Sequence, residues 1–285
     1  MKLAHLILAH HNPQMLERIV KRLHHADADI YIQLDKKADI SAFEAIKSIS
    51  NVWFVDDRVK TEWGNYSLVK ATLKGFKYIL QTGKSYSHIN LLSGQDYPLK
   101  PIEEIHKFLF ANADKTFMRY LSIADNEWED GKIRVTKYSF GDFNLFGKYQ
   151  LQAFANAALP KRKLPEHLKP YGRSQWLTIT PECAQYAINY LKKKPRVKRF
   201  FKLTWGVDEI FFQTILCNSA LKAKLVNDNL RYIEMEGANR PTIFTIADAD
   251  RLTSSGNFFA RKFDADVDTA ILDYLDKVID SPAKN

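Results

Sequence analysis

The sequence predicts an α/β fold: one large domain built on a doubly wound, mostly parallel sheet flanked by helices. Three observations carry this. Short apolar runs bounded by turn residues alternate with segments of helical period through the first 115 residues, the order that right-handed β-α-β crossovers produce. A length of 285 residues with 46% hydrophobic content is enough for a sizeable core and argues against disorder. The apolar run at His88–Leu92 ends in Ser93-Gly94-Gln95-Asp96-Tyr97-Pro98. That ending delivers a carboxylate and free backbone groups to a sheet edge, where open α/β sheets bind ligands. Gly, Asp and Pro each also suit an ordinary turn.

In order, Leu3–His10 reads as a strand and Met15–Leu23 as a helix through Leu16, Ile19, Val20 and Leu23. Ile30–Leu34 and Val52–Val55 are strands around a short helix, Ala42–Ile49. Ser67–Gln81 is an amphipathic helix with Ser67 as its N-cap. His88–Leu92 and Thr116–Ser122 are strands on either side of the helix Ile102–Phe110. Glu127–Gln152 has no clear period, and Leu159–Tyr171, rich in Pro and Lys, reads as a mobile surface loop. Regular structure returns with strand Gln175–Thr180, helices Pro181–Lys192 and Asp208–Asn218, strand Leu230–Met235 and a final helix, Asp268–Ile279. No internal repeat or clean boundary appears, so the reading is a single domain over 1–285. Its nucleotide-binding half spans 1–115 and its acceptor-binding and catalytic half 116–285.

The net charge of +9 draws heavily on Lys161-Arg162-Lys163 and on the run Lys192–Lys202. Such a charge concentrates anionic partners, whether nucleic acid, anionic lipid or nucleotide phosphate. Cys183 and Cys217 sit on apolar helical faces and read as buried free thiols in a reducing compartment. The adjacent pairs His10-His11 and His24-His25 cannot share a face, so no zinc site is expected from Cys or His. No run has the apolar length of a bilayer span, and the apolar start at Leu3 reads as a core strand, which predicts a cytoplasmic chain. Neither Gly-x-Gly-x-x-Gly nor Gly-x-x-x-x-Gly-Lys-Ser/Thr occurs, which argues against dinucleotide hydride transfer and nucleoside-triphosphate hydrolysis.

Four further stretches carry chemistry. Asp35 ends a strand, where a carboxylate accepts hydrogen bonds from a base or ribose or caps a loop. In Thr61-Glu62-Trp63-Gly64, the tryptophan offers a flat face to a sugar or base, or fills the core. In Trp205-Gly206-Val207-Asp208-Glu209, Asp208 reads as an N-cap and Glu209 as a first-turn residue, where the helix dipole favours a carboxylate. An ionised glutamate at a cleft is what a general base needs. In Phe258-Phe259-Ala260-Arg261-Lys262-Phe263, two cations sit inside an aromatic stretch, as a phosphate-gripping edge would, with Arg240 upstream.

Taken in register, these stretches resemble the core-2/I-branching β-1,6-N-acetylglucosaminyltransferase family, which includes the peptide O-xylosyltransferases. The marks are Leu6-Ile7-Leu8-Ala9-His10, Ile32-Gln33-Leu34-Asp35-Lys36, Glu62-Trp63-Gly64, Leu92–Pro98, Gly172-Arg173-Ser174-Gln175-Trp176, Asp208-Glu209-Ile210-Phe211-Phe212 and Phe259-Ala260-Arg261-Lys262-Phe263. The resemblance implies a GT-A-type fold, with a Rossmann-like sheet, and inverting transfer of N-acetylglucosamine or xylose from a UDP-sugar to a hydroxyl. It puts the catalytic base at Glu209. Donor contacts fall at Leu8, Asp35, Thr61, Glu62 and Trp63, with Asp96 at the strand end, Gln175 and Trp176 near the sugar, and Arg240, Arg261 and Lys262 near the diphosphate. Tyr232 matches an acceptor-contacting aromatic, and Glu234 stands where the family pattern has a second aromatic.

Metal use is a separate question. Asp27-Ala28-Asp29, Asp248-Ala249-Asp250 and Asp264-Ala265-Asp266 do not follow a strand of the nucleotide half, and the expected motif position holds only Gln95-Asp96. No catalytic metal and no other cofactor is expected, the cations neutralising the departing UDP instead. The expected partners are the UDP-sugar donor, a glycan or lipid-linked glycan acceptor, and an anionic membrane met peripherally at its inner face through Lys192–Lys194. Nucleic acid is not expected. A basic nucleic-acid-binding protein without catalysis is the rival reading, with Lys192–Lys202 tracking phosphates; a catalytically dead lectin-like module is a third.

Overall fold

The computed structural model describes residues 1–236 and 240–281. Strands β1 (Lys2–Ala9), β2 (Ala28–Leu34), β3 (Val52–Phe54), β4 (Tyr86–Ser93), β5 (Asp96–Pro98), β6 (Thr116–Ser122), β7 (Tyr171–Ile179) and β8 (Leu225–Val226) come first in the chain. All but β5 form one seven-stranded sheet in the order β3-β2-β1-β4-β7-β6-β8. Only β7 runs antiparallel to its neighbours, so the sheet is mostly parallel, as expected. Strand periodicity sorts the side chains of β1 between two cores. Leu3 and Ile7 join one apolar cluster, Ala4 and Leu6 the other.

Helices cover both faces. On one side lie α1 (Pro13–Leu23) and the single turn α2 (Glu44–Lys47); on the other lies α3 (Tyr66–Gln81). The chain continues through α4 (Ile102–Ala111), α5 (Gly131–Thr136), α6 (Lys148–Ala158), α7 (Pro181–Lys193), α8 (Pro195–Lys202) and α9 (Phe211–Cys217). Strand β9 (Arg231–Ile233), the ribbon of β10 (Met235–Glu236) with β11 (Arg240–Pro241), α10 (Ala249–Ser254), β12 (Phe259–Arg261) and α11 (Ala270–Asp280) complete it. A second sheet, ordered β5-β12-β9, stands at the end of β4 and sets Arg261 opposite Asp96.

Arg231 joins the two sheets. It is buried and donates to the Leu91 carbonyl at 2.9 Å, the Leu177 carbonyl at 3.1 Å, Thr178 Oγ1 at 3.2 Å and Asn90 Oδ1. Burial brings its pKa down to about 10. Asn90 also contacts Nδ1 of His5, which burial holds neutral with a pKa of about 3.

Several sequence expectations change. Helix α3 starts at Tyr66 with Asn65 as N-cap; Ser67 instead gives its N–H (2.7 Å) and hydroxyl (2.6 Å) to Asp142, a carboxylate from far along the chain that satisfies the helix's free donors. The segment without a clear period contains α5 and the start of α6. The polar face of α6 is tied to loop backbone through Gln152 and Asn156, so no inward apolar stripe marks it in the sequence. The stretch Leu159–Tyr171 is anchored by buried Arg162, which donates to the carbonyls of Lys137, Leu203 and Phe200 and to Thr204 Oγ1. The helix expected over Asp208–Asn218 divides into a 3-10 turn, Val207–Glu209, and α9, so Asp208 is no cap. The strand expected over Leu230–Met235 breaks after Ile233. Both cysteines are buried and free.

Candidate functional site

The C-terminal ends of the parallel strands converge on a set of charged and aromatic side chains. At the end of β2, Asp35 is buried and already bound: it accepts from the Lys37 N–H at 2.7 Å, the Thr61 N–H at 3.1 Å and the Thr61 hydroxyl. Lys37 Nζ donates to the Thr61 carbonyl at 2.7 Å and lies 3.6 Å from Glu62. Asp35, Thr61 and Glu62, distant in sequence, are therefore one constellation. The Leu8 carbonyl accepts from Gly94 N–H at 2.9 Å, which places it beside Ser93.

At the end of β4, Asp96 is buried and accepts from the Ser93 N–H at 3.0 Å, the Ser93 hydroxyl at 2.7 Å and Arg261 Nη1 at 2.8 Å. The guanidinium of Arg261 stacks 4.6 Å from the Trp176 ring. Only Nη1 is committed among the described residues, which leaves its other donors available to a ligand at the strand ends. Asp96 thus aims a cation. A bulge in β7 sets Ser174, Gln175 and Trp176 opposite Arg119 alone. Bulges re-aim side chains in this way next to sites, here bringing Trp176 under Arg261. Lys262 is half-buried with its backbone tied to Thr242 and Phe244, and its ammonium has no ion pair among the described residues.

Glu209 approaches from the other half. Two Trp-Gly turns dock on each other: Gly206 N–H donates to the Gly64 carbonyl at 2.6 Å, and the rings of Trp63 and Trp205 meet edge to face at 5.5 Å. Both glycines need their lack of a side chain. Gly64 has φ 69° and a Cβ there would stand 2.8 Å from Trp205 Nε1; Gly206 has φ 63° and its Cβ would stand 2.6 Å from Arg134 Nε. The 3-10 turn after Gly206 presents the Glu209 carboxylate to Arg134, whose Nε donates at 3.0 Å and whose Nη2 also bonds. Arg134 lies 4.7 Å from the ring of Trp128 and 5.0 Å from that of Trp205.

Arg134 is a wall of a cavity of about 460 Å³ shared with Trp63, Trp205, Tyr138, Tyr149 and Gln152. Aromatic faces and amide side chains around such a space suit a polyhydroxylated ligand. Asp208, next to Glu209, is buried with Oδ1 unpartnered, and burial, then the Glu209 charge, pushes its pKa up to about 7. Arg261 acts electrostatically on Asp208 and also on His10, whose pKa burial and His11 lower. The strand-end cation and the Glu209 turn therefore occupy one electrostatic neighbourhood.

Other sequence candidates stand apart. Tyr232 pairs with Ala260 and packs 5.8 Å from Phe244; Glu234 is 3.2 Å from Arg251; neither lines the cavity beside Arg134. Arg240 is exposed on the ribbon opposite Glu236. Among the described residues no three His, Cys, Asp or Glu side chains come together in a metal-holding group. Sequence reasoning missed Arg134, Tyr138, Tyr149 and Gln152, all from the segment without a period, and Asn156 just beyond it. The recurrence of Trp-Gly at 63–64 and 205–206 was the one usable signal.

A sequence model described as Core-2/I-Branching enzyme matches residues 3–252. Xylosyltransferase 2 of Rattus norvegicus is 27% identical over 300 residues, covering 96% of this chain and 33% of that protein. A xylosyltransferase of Ciona intestinalis is 26% identical over 285 residues, covering 92% and 32% respectively. The chain spans about a third of the length of these relatives.

Proposed function

Because this chain belongs to the Core-2/I-Branching enzyme family, we propose that it is an inverting glycosyltransferase. It moves N-acetylglucosamine or xylose from a UDP-sugar to a hydroxyl of a glycan or lipid-linked glycan, without a metal. The observation that carries this reading is the bond from Arg134, a wall residue of the aromatic cavity, that fixes the Glu209 carboxylate behind it, with Arg261 and its uncommitted donors within electrostatic reach of the same turn.

In this mechanism Arg134 holds the Glu209 carboxylate in one orientation, and Glu209 takes the proton of the acceptor hydroxyl. The hydroxyl oxygen bonds to the anomeric carbon as the bond from that carbon to UDP breaks on the opposite face, so the configuration inverts. Negative charge grows on the diphosphate, where Arg261 and Lys262 receive it, while Asp35, Thr61 and Glu62 hold the nucleoside. Trp176 keeps the Arg261 plane fixed, so the cation needs no reorganisation during transfer.

The test is a panel of UDP-sugars screened by thermal shift, followed by NMR of the product's anomeric centre with and without chelator. Stabilisation by UDP-N-acetylglucosamine or UDP-xylose and an inverted product formed in chelator support the reading. A retained configuration, or activity abolished by chelator and restored by Mn²⁺, overturns it.

A further inference from the structure

Helix α6 is amphipathic the wrong way round. Its polar side chains face the protein: Asn156 accepts from the Tyr138 N–H at 2.8 Å and donates to the Tyr138 carbonyl at 3.0 Å, while Gln152 accepts from the Phe140 N–H at 2.9 Å. Its apolar side chains face water. Phe154 is 67% exposed, Leu151 and Leu159 about half, and in the preceding loop Leu145 is half exposed and Phe146 fully so. Only Ala155 of the helix is buried. Five large apolar groups exposed within residues 145–159 are a concentration that folding does not explain.

The chain leaves this helix directly into a basic recess of about 390 Å³. Lys161, Lys163, Arg196 and Arg199 line it with Tyr138 and Phe200, and no carboxylate is among its lining residues. None of the four cations makes an ion pair among the described residues. Glu166, the acid that senses Arg196, is bound to Lys194 at 2.6 Å.

We propose that α6, its preceding loop and this recess form a docking surface for an anionic phospholipid bilayer. The apolar crest enters the interface, and the recess receives lipid phosphates. Charge complementarity selects this occupant. A two-fold interface with a second copy would set two clusters of unpaired cations against each other, because such interfaces bring identical patches together. The surface is built mainly from residues before the Lys192–Lys194 run suggested by sequence, with Arg196 and Arg199 just after it. Since Tyr149 and Gln152 of the same helix wall the cavity beside Arg134, docking would set that cavity at the membrane, where a lipid-linked acceptor is presented. That last consequence rests on the proposed transfer; the docking itself does not.

The experiment is sedimentation of the whole chain with vesicles of phosphatidylcholine alone and of phosphatidylcholine mixed with phosphatidylglycerol. Wild type is expected to pellet with the mixed vesicles only, and less at high salt. Phe146→Ser with Phe154→Ser, and separately Lys161→Ala with Lys163→Ala, should each lower the partition coefficient about tenfold or more. Thermal midpoint and calorimetric UDP affinity should be unchanged, which separates this test from that of the transferase reading. Wild type and variants binding vesicles equally, or a wild-type dimer that the Phe variants dissociate without any vesicle binding, overturns the proposal.

Discussion

Replacing Glu209 with Gln tests the proposed chemistry with the least disturbance to structure. The amide keeps the shape of the carboxylate and, through Oε1, an acceptor for Arg134, but cannot take a proton from the acceptor. Loss of a general base lowers turnover by about 10²–10⁴-fold, or about 2.7–5.4 kcal/mol in the barrier. The structural part is smaller. Arg134 keeps its stacking on Trp128 and Trp205, and the glutamate is 34% exposed, so solvent screens part of the ion pair it loses. Replacing the ion-paired bond by one from the Arg134 cation to a neutral amide oxygen then costs about 1 kcal/mol of stability. The assay is the initial rate of UDP release at saturating donor and acceptor, beside calorimetry of UDP and thermal melting of both proteins. Turnover within a few-fold of wild type, with UDP affinity intact, would refute the assignment of the base. Parallel loss of UDP affinity would show that the residue belongs to the donor site instead.

Four further outcomes are expected. Lys262→Ala should weaken UDP binding by about 10- to 150-fold, the scale of one charge-assisted bond, without moving the thermal midpoint. Arg261→Ala should weaken binding and lower the midpoint, since it also strands buried Asp96; equal calorimetric affinity in both variants would remove the phosphate role. Asp208→Asn should raise the melting temperature at pH 8 and much less at pH 5. The folded state raises this carboxyl to about 7, so the native protein holds a proton that the unfolded chain releases, and stability falls as pH rises from about 4 to about 7; a gain independent of pH would contradict this. Arg231→Ala should cost about 3 kcal/mol or more in chemical denaturation, because it removes the buried donor shared by the Leu91 and Leu177 carbonyls and Asn90. A loss below about 1 kcal/mol would mean water replaces the guanidinium.

What the sequence determined by itself was whatever depends on local period and strand ends. The alternation of β1–β4 with α1–α3 was readable because both faces of those strands are covered by elements with regular apolar spacing. Asp35, Asp96 and Arg261 were readable as candidates because each ends a strand or sits beside aromatic anchors. What only the tertiary structure decided is which of them are already spoken for. Asp96 is engaged by Ser93 and Arg261, and Asp35 by Thr61 and Lys37, pairings across up to 165 positions that no local pattern encodes. The wall carrying Arg134 and the inverted helix α6 were hidden for the converse reason. Their places are fixed by side-chain bonds to backbone elsewhere, such as Asn156 to Tyr138 in a loop and Asp142 to Ser67 at the start of α3, and bonds of that kind leave no periodic trace in a sequence.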